Sequence, residues 1–162
     1  MLDLDIARCA RYHADTHVVK MILEGTQMLC TVLNRSGVPS PYRSTHVNHP
    51  CTVWTGDSLS NWLWLRRLVG RLNSEYRYRY GRQTEHESAG IASSLPLPAI
   101  RDNGLTDFAQ AMPEEYRVPG DPVRAYRSYY VAEKGHLATW TRRRRPSWFV
   151  EGPRGIRGAA ED

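Results

Sequence analysis

The sequence predicts an all-α fold, a compact single domain of three main helices with one or two short helices and long loops. Apolar residues recur at helical spacing in three stretches, and no stretch shows the alternation typical of a β-strand. Residues that favour helix starts precede these stretches. The chain has 162 residues, enough for one core but not for two. We expect residues 1–150 to form the domain and residues 151–162 to be a flexible tail.

The first two helices are predicted close to the N-terminus. Asp3 or Asp5 can cap a short helix that runs to about Tyr12. A longer helix is expected over about residues 15–34, where Gly25 costs about 1 kcal/mol of helix propensity relative to Ala. We therefore expect another backbone or a ligand to approach closely at this glycine. The apolar stripe of the longer helix consists of Val18, Ile22, Leu29 and Leu33.

The middle of the chain contains one long helix between two loops. Gly and Pro residues predict a loop over residues 35–49. A helix capped near Thr55 or Asp57 should run to about Tyr80, and residues 84–119 lack a sustained period and predict a long loop or short turns. The apolar residues expected to face inward on this helix are Leu59, Trp62, Leu63, Val69, Leu72 and Tyr76.

A last helix is predicted after residue 120. Asp121 is a good N-cap residue, and Pro122 suits the first helical position. Its expected inner face consists of Tyr126, Tyr130, Leu137 and Trp140.

Composition narrows the partners and the compartment. The net charge is +5 and nearly all of the cationic residues are arginine, which binds phosphate well, so we expect a polyanionic partner such as DNA. Cys9, Cys30 and Cys51 form no CxxC pattern, which fits a reducing compartment. The N-terminus is acidic where a secretory signal would be basic, and no apolar run reaches the ~18 residues of a membrane span. We expect a cytoplasmic monomer that does not bind membranes and needs no cofactor.

Three ionisable residues lie on one face of the second helix. His17 and Glu24 are seven residues apart, about two turns, and Lys20 lies beside the line between them. A carboxylate can stabilise positive charge on a sugar, and an amine can form a Schiff base with the opened sugar. These residues predict catalysis on a base or sugar, with Glu24 foremost. The alternative is a solvated Lys20–Glu24 pair with His17 packed in the core.

A metal site is a second possibility. His46 and His49 end the loop before the third helix, and folding could bring them near Asp15, His17 or Glu24. Imidazole and carboxylate groups are common metal ligands. The alternative is that His49 caps a helix.

Two arginine-rich segments predict contacts with nucleic acid. One alternates with tyrosine at the end of the third helix, and the other is a run of four arginines before Pro146. Arginine can hold phosphates while an aromatic ring stacks on a base. The alternative is that the tyrosines and Trp148 pack in the core and the arginines are solvated near helix ends. The predicted nucleic-acid-binding residues are Arg77, Arg79, Arg82, Arg142, Arg143, Arg144, Arg145 and Trp148.

The chain resembles a family of short proteins encoded by tailed phages, for which no activity is established. The resemblance covers most of the chain. It rests on residues 17–24 (HVVKMILE), 45–51 (THVNHPC) and 110–116 (QAMPEEY), and on matching positions from Asp121 to Thr141.

A second resemblance is to the phage pyrimidine-dimer DNA glycosylases of the endonuclease V type. It rests on Ala14, Asp15, His17 and Glu24, on residues 113–117 (PEEYR) and on residues 145–149 (RPSWF). In that family a helix opens with Ala-Asp-x-His, and the catalytic Glu follows the His by seven residues. The resemblance implies a compact helical domain that flips out a nucleotide, cleaves the glycosidic bond and nicks the strand by β-elimination.

Some positions depart from that family. Its nucleophile is the α-amine exposed by removal of the initiator methionine, whereas Leu2 should leave Met1 in place. Its two arginines flanking the Glu correspond here to Leu23 and Gln27. Met1 and Lys20 are therefore both candidates for the Schiff-base amine.

The sequence as a whole predicts a DNA N-glycosylase, with an AP-lyase step possible, that acts on a damaged or modified base in repair or modification. Glu24, His17, Lys20 and Met1 are the predicted catalytic residues. One alternative is a metal-dependent nucleotide-modifying or base-modifying enzyme that uses the His/Asp cluster. A second alternative is a non-catalytic DNA-binding protein.

Overall fold

The computed structural model describes residues 1–150, and the predicted tail at residues 151–162 lies outside the described residues. Within residues 1–150 all regular structure is helical, which confirms the predicted all-α class, although this part of the chain has three short α-helices and not one or two. Two 3₁₀ turns, Glu114–Tyr116 and Gly135–Leu137, accompany the α-helices. In chain order the α-helices are α1 (Ile6–Tyr12), α2 (Asp15–Arg35), α3 (Pro50–Asp57), α4 (Leu59–Tyr80), α5 (Glu87–Ser94) and α6 (Pro122–Lys134).

Helices α2 and α4 run antiparallel through the centre of the molecule. Arg79 near the end of α4 bonds Asp15 at the start of α2, and Trp62 near the start of α4 donates its indole N–H to the carbonyl of Leu29. The apolar stripe predicted for α2 is completely buried. Helix α1 packs on α4, and α5 packs on both central helices. The face of α2 that carries His17 lies away from this stripe.

The close approach predicted at Gly25 is confirmed, and the neighbour is α4. A Cβ atom on Gly25 would stand 2.7 Å from Cγ2 of Val69 and 3.6 Å from Cδ1 of Leu65. Val69 is itself buried and has little room to move. Glycine therefore sets the spacing of the two central helices.

The predicted caps of the first and last helices are confirmed. Asp5 accepts a hydrogen bond from the backbone N–H of Arg8, and Asp121 accepts one from that of Arg124. The last helix was predicted too long: α6 ends at Lys134, the 3₁₀ turn Gly135–Leu137 follows, and the backbone of Ala138 is extended.

Two residues predicted for the inner face of that helix, Leu137 and Trp140, therefore lie beyond its end. Trp140 lies beyond α6, half-buried with its ring 4.8 Å from that of Phe149. The side chain of Leu137 lies outside the described part of the chain.

The third predicted helix is α4, which begins after Ser58 and not near Thr55 or Asp57 as predicted, and the short helix α3 directly before it was not predicted. The backbone of Ser58 is extended, at φ −155° and ψ 145°, and separates them. The Asp102 carboxylate accepts hydrogen bonds from the Ser60 backbone N–H and the Ser58 hydroxyl, and the Arg101 carbonyl accepts one from Leu59. The free N–H groups that open α4 are thus satisfied by residues far along the chain. That partner could not be found from local sequence.

The loop predicted over residues 84–119 contains α5. His86 caps this helix by accepting a hydrogen bond from the Ser88 N–H at 3.2 Å. The Ser88 carbonyl accepts the hydroxyl of Thr26 in α2 at 3.0 Å. Its inward residues, Ala89 and Ala92, are small. The helix therefore depends on packing and shows no strong apolar period in the sequence.

Candidate active site on the second helix

The predicted ionisable residues share one face of α2. His17 and Glu24 are half-buried and Lys20 is exposed. Lys20 Nζ lies 3.4 Å from Glu24 Oε1, and 64% of the lysine side chain and 37% of the glutamate side chain are accessible to solvent. So exposed a pair adds little stability. The alternative prediction is confirmed for the solvated pair but not for His17, which is half-buried and lies outside the core. This face is open to a ligand.

His17 is held by a tyrosine of α6. Its Nδ1 lies 2.6 Å from the hydroxyl oxygen of Tyr130, and the same oxygen accepts a hydrogen bond from the Ala14 N–H at 2.8 Å. Burial, followed by the charges of Lys134 and Lys20, lowers the pKa of His17, and Glu24 opposes this shift. The imidazole is therefore neutral at physiological pH.

Asp15, two residues before His17, joins three parts of the chain. Its carboxylate accepts hydrogen bonds from the Thr141 N–H at 2.9 Å, the Thr141 hydroxyl at 2.8 Å and the Thr139 hydroxyl at 3.1 Å. It also pairs with Arg79 at 3.1 Å. Burial raises the pKa of Asp15, but the hydrogen bonds outweigh burial and the net shift is downward. Asp15 thus fixes the start of the four-arginine segment beside the first turn of α2.

Arg79 has a structural position. Its side chain is 0% exposed, and it donates to Glu75 at 2.9 Å and to the carbonyls of His13 and Arg11. The prediction that Arg79 holds phosphate is therefore wrong. Arg143 also turns toward Glu75, which it contacts through two nitrogens at 2.9 and 2.7 Å. The Glu75 carboxylate thus joins α4 to the arginine segment.

The two predicted arginine groups lie side by side. The Tyr78 hydroxyl donates to the Arg142 carbonyl at 3.3 Å, and Arg142 donates to the Tyr78 carbonyl at 2.9 Å. The Arg143 guanidinium lies 4.2 Å from the centre of the Tyr78 ring. We call the resulting surface the arginine edge. Its exposed cationic residues are Arg77, Arg82, Arg142, Arg144 and Arg145.

Trp148 packs inside the protein, as the alternative prediction had it. Its ring centre lies 5.7 Å from that of Tyr12 and 6.3 Å from that of Tyr130, and the Arg127 guanidinium lies 5.2 Å from its ring. The ring is half-buried, and its indole N–H is buried without a hydrogen-bond partner among residues 1–150. Trp148 supports the Tyr130 side of the site in this conformation.

Met1, whose α-amine is one of the predicted nucleophiles, lines an apolar cavity of about 90 Å³ beside α2. Met21 and Met28, one turn before and one turn after Glu24, line the same cavity. Burial lowers the pKa of the amine, and the nearby Cys9 and Cys51 oppose this shift. Burial thus favours the uncharged amine, the nucleophilic form.

One histidine, His13, also lines this cavity. Burial lowers the pKa of His13 to about 3, so its ring is neutral. Its Nδ1 lies 2.7 Å from the Cys9 carbonyl, which can only accept, so Nδ1 carries the hydrogen. His13 is not among the site residues predicted from the sequence.

The histidines assigned to the alternative metal site have other positions. His49 caps α3 by accepting the Cys51 N–H at 3.2 Å, as predicted by the alternative. His46 is exposed in a left-handed turn at φ 49°. The Asp15 carboxylate is occupied by Arg79 and the hydrogen bonds described above. Within residues 1–150 no group of three or more His, Cys, Asp or Glu residues is arranged to hold a metal ion.

Comparisons of the chain with protein-family models, curated proteins and solved structures gave no match. Among residues 1–150, no helix combines the length and the apolar character needed to cross a membrane.

Tyr130 and Glu75 are the main residues of the site that were not predicted from the sequence to have a functional role. Tyr130 was assigned only to the core, because its pairing with His17 spans 113 positions. The burial of Glu75 could have been predicted from its position in the sequence. The buried stripe of α4 continues at helical spacing through Leu68, Leu72, Glu75 and Arg79. A carboxylate and an arginine on a core stripe indicate an internal ion pair.

Proposed function

We propose that this protein is a DNA N-glycosylase of the endonuclease V type, with an AP-lyase step, that acts on a damaged or modified base. One observation carries the proposal: Glu24 and His17 share an open face of α2, and Asp15 ties the first turn of this helix to the arginine edge. A catalytic carboxylate and a phosphate-binding surface thus belong to one rigid unit. Such a unit suits attack on a nucleotide held by its backbone.

Glu24 is the proposed catalytic carboxylate. Cleavage of the bond between C1′ and the base develops positive charge on the sugar, and a nearby carboxylate stabilises that charge. Glu24 is partly exposed, so it can reach a bound nucleotide, and its ion pair with Lys20 is weak enough to open. His17 lies on the same face and orients the sugar.

An amine completes the proposed reaction. It attacks C1′, the bond from C1′ to the base breaks, and the base leaves with a proton. The bond between C1′ and O4′ then breaks, O4′ takes up a proton from solvent, and the bond from C1′ to the amine becomes the C=N bond of a Schiff base. Loss of a proton from C2′ of this Schiff base breaks the bond between C3′ and its phosphate oxygen, and the phosphate leaves. The Met1 amine is one candidate because burial favours its uncharged form. Lys20 is the other because its Nζ lies 3.4 Å from Glu24.

Borohydride trapping tests this proposal. The chain has two lysines, Lys20 and Lys134, so with Met1 an adduct can form on three amines. We expect borohydride to trap wild-type protein on DNA with an abasic site, and peptide mass spectrometry to locate the adduct on Met1 or Lys20. Glu24→Gln should lose the adduct, whereas Glu87→Gln, on an exposed position of α5, should keep it.

Three results would contradict the proposal. An adduct on Lys134 would place the chemistry elsewhere. Loss of activity on chelation, with stoichiometric metal in the purified protein, would favour the metal-dependent alternative. Salt-sensitive DNA binding without an adduct or base release would leave a non-catalytic DNA-binding protein.

A further inference from the structure

The hydroxyl group of Tyr130 has two hydrogen-bond partners in the described part of the chain. The Ala14 N–H lies 2.8 Å away and His17 Nδ1 lies 2.6 Å away. Tyr130 is buried, and burial raises the pKa of its phenol, so the hydroxyl keeps its hydrogen at all physiological pH values. The position of that hydrogen can be derived from its two partners.

The backbone N–H of Ala14 can only donate, so the tyrosine oxygen is its acceptor. Among residues 1–150, His17 Nδ1 is then the one acceptor within hydrogen-bond distance of the hydroxyl hydrogen. A buried hydroxyl that lacks an acceptor is costly. The hydroxyl therefore donates to Nδ1, which must carry a lone pair. The hydrogen of the neutral imidazole is consequently on Nε2.

We propose that Tyr130 is a positioning residue that locks neutral His17 in the tautomer with its hydrogen on Nε2, so that His17 presents a hydrogen-bond donor to an oxygen atom of the bound nucleotide. The candidate acceptors are sugar and phosphate oxygens. The role toward the nucleotide rests on the proposed function, whereas the tautomer does not. His17 thereby acts as a neutral donor and does not take up a proton during the reaction.

The charged groups around His17 agree with a neutral donor. Lys134 faces it from α6, and Lys20 and Glu24 face it from α2. His13, before α2, is also electrostatically linked to it, and burial keeps that ring neutral. Two cations and one carboxylate therefore disfavour the imidazolium form on balance. Protonation would also place a hydrogen on Nδ1 and leave the Tyr130 hydroxyl without its acceptor.

Nitrogen-15 NMR of the wild-type imidazole tests the tautomer directly. We expect a non-protonated Nδ1 and a protonated Nε2 for His17 at neutral pH. Tyr130→Phe should move the two nitrogen shifts toward each other and raise the pKa of His17. Tyr126→Phe is a matched control on α6, since that hydroxyl bonds Ala109 and Ala111 away from His17. A protonated Nδ1 in the wild-type spectrum overturns the proposal even if Tyr130→Phe fails to fold.

Two substitutions of His17 test the donor role. The amide nitrogen of glutamine occupies the place of Nε2, and that of asparagine occupies the place of Nδ1. We expect His17→Gln to retain at least tenfold more single-turnover base release than His17→Asn. The reverse ranking would overturn the donor role. If no DNA tested is cleaved by any form, the proposed function fails while the NMR result still decides the tautomer.

Discussion

At Asp15, one carboxylate holds together the start of α2, the end of α4 and the segment that precedes the four arginines. Its partners are Arg79, Thr139 and Thr141. The sequence places Asp15 in an Ala-Asp-x-His stretch, but this stretch does not reveal what the aspartate does. The structure assigns it a positioning role, because it fixes the arginine edge relative to His17.

Replacing Asp15 with Asn should destabilise the protein by about 3 kcal/mol, since the buried Arg79 would lose one of its two carboxylate partners. The lowered pKa of Asp15 also stabilises the fold above the ordinary value of 3.8, and this contribution is lost as the pH falls through the folded-state pKa. Asp15→Asn should therefore flatten the acid limb of stability against pH. Urea unfolding from pH 7 to pH 2 measures both effects.

The control for this experiment is Asp107→Asn, which changes an exposed aspartate. It should leave stability within about 0.5 kcal/mol of wild type. Equal losses in the two variants would contradict the role assigned to Asp15.

At the scale of the elements, the close contact between α2 and α4 depends on Gly25, and Gly70 of α4 is a glycine outside that contact. Gly25 lies against Val69 with no room for a Cβ atom, whereas a Cβ atom on Gly70 of α4 would have no neighbour within 4 Å. Both glycines are inside helices, so both carry the same cost in helix propensity. The two glycines differ in whether a neighbouring side chain occupies the space of a Cβ atom.

Alanine at these two positions should therefore act in opposite directions. Gly25→Ala should lower the free energy of unfolding by about 1 kcal/mol or more, because overpacking outweighs the gain in helix propensity. Gly70→Ala should raise it by about 1 kcal/mol. Thermal and urea unfolding of both variants measure the difference, and a stabilising Gly25→Ala would show that the helices are not in close contact there.

The sequence predicts elements whose signals are local. The caps at Asp5 and Asp121 and the apolar stripe of α2 are local and were found. The break at Ser58 depends on Asp102, and α5 depends on packing against Thr26. Those partners are distant in the chain, so propensity and periodicity do not contain them.

At the scale of the whole molecule, the chain has a net charge of +5, and folding brings two groups of arginines together on one surface. Two arginine segments more than 60 positions apart meet through Tyr78 and Arg142. The inward turn of Arg79 and Arg143 leaves fewer arginines for phosphate than the sequence indicates. The proposed DNA contacts therefore come from the outward members of the arginine edge.

Arg144→Ala should weaken DNA binding about equally for all sequences and reduce the slope of log affinity against log salt by roughly one. Arg101→Ala is the matched control, because Arg101 is exposed at the opposite end of α4. Fluorescence anisotropy over a salt series measures both slopes. Equal slopes for the two variants would show that Arg144 does not contact phosphate.

The candidate site, like the fold, has features that the local sequence predicts and features that depend on residues distant in the chain. The spacing from His17 to Glu24 lies within one helix, so the sequence predicts their shared face correctly. The pairing of His17 with Tyr130 requires α6 to pack beside α2, and no local pattern contains that information. The burial of Arg79 was obscured by the alternating Tyr and Arg residues around it.

The central claim is that Glu24 catalyses cleavage of a glycosidic bond. Its most direct test is single-turnover release of free base from duplexes that each carry one damaged or modified base, measured for wild type and Glu24→Gln. We predict release from at least one duplex and a rate at least about 100-fold lower in the variant. Release at equal rates, or no release by wild type from any duplex, would contradict the claim.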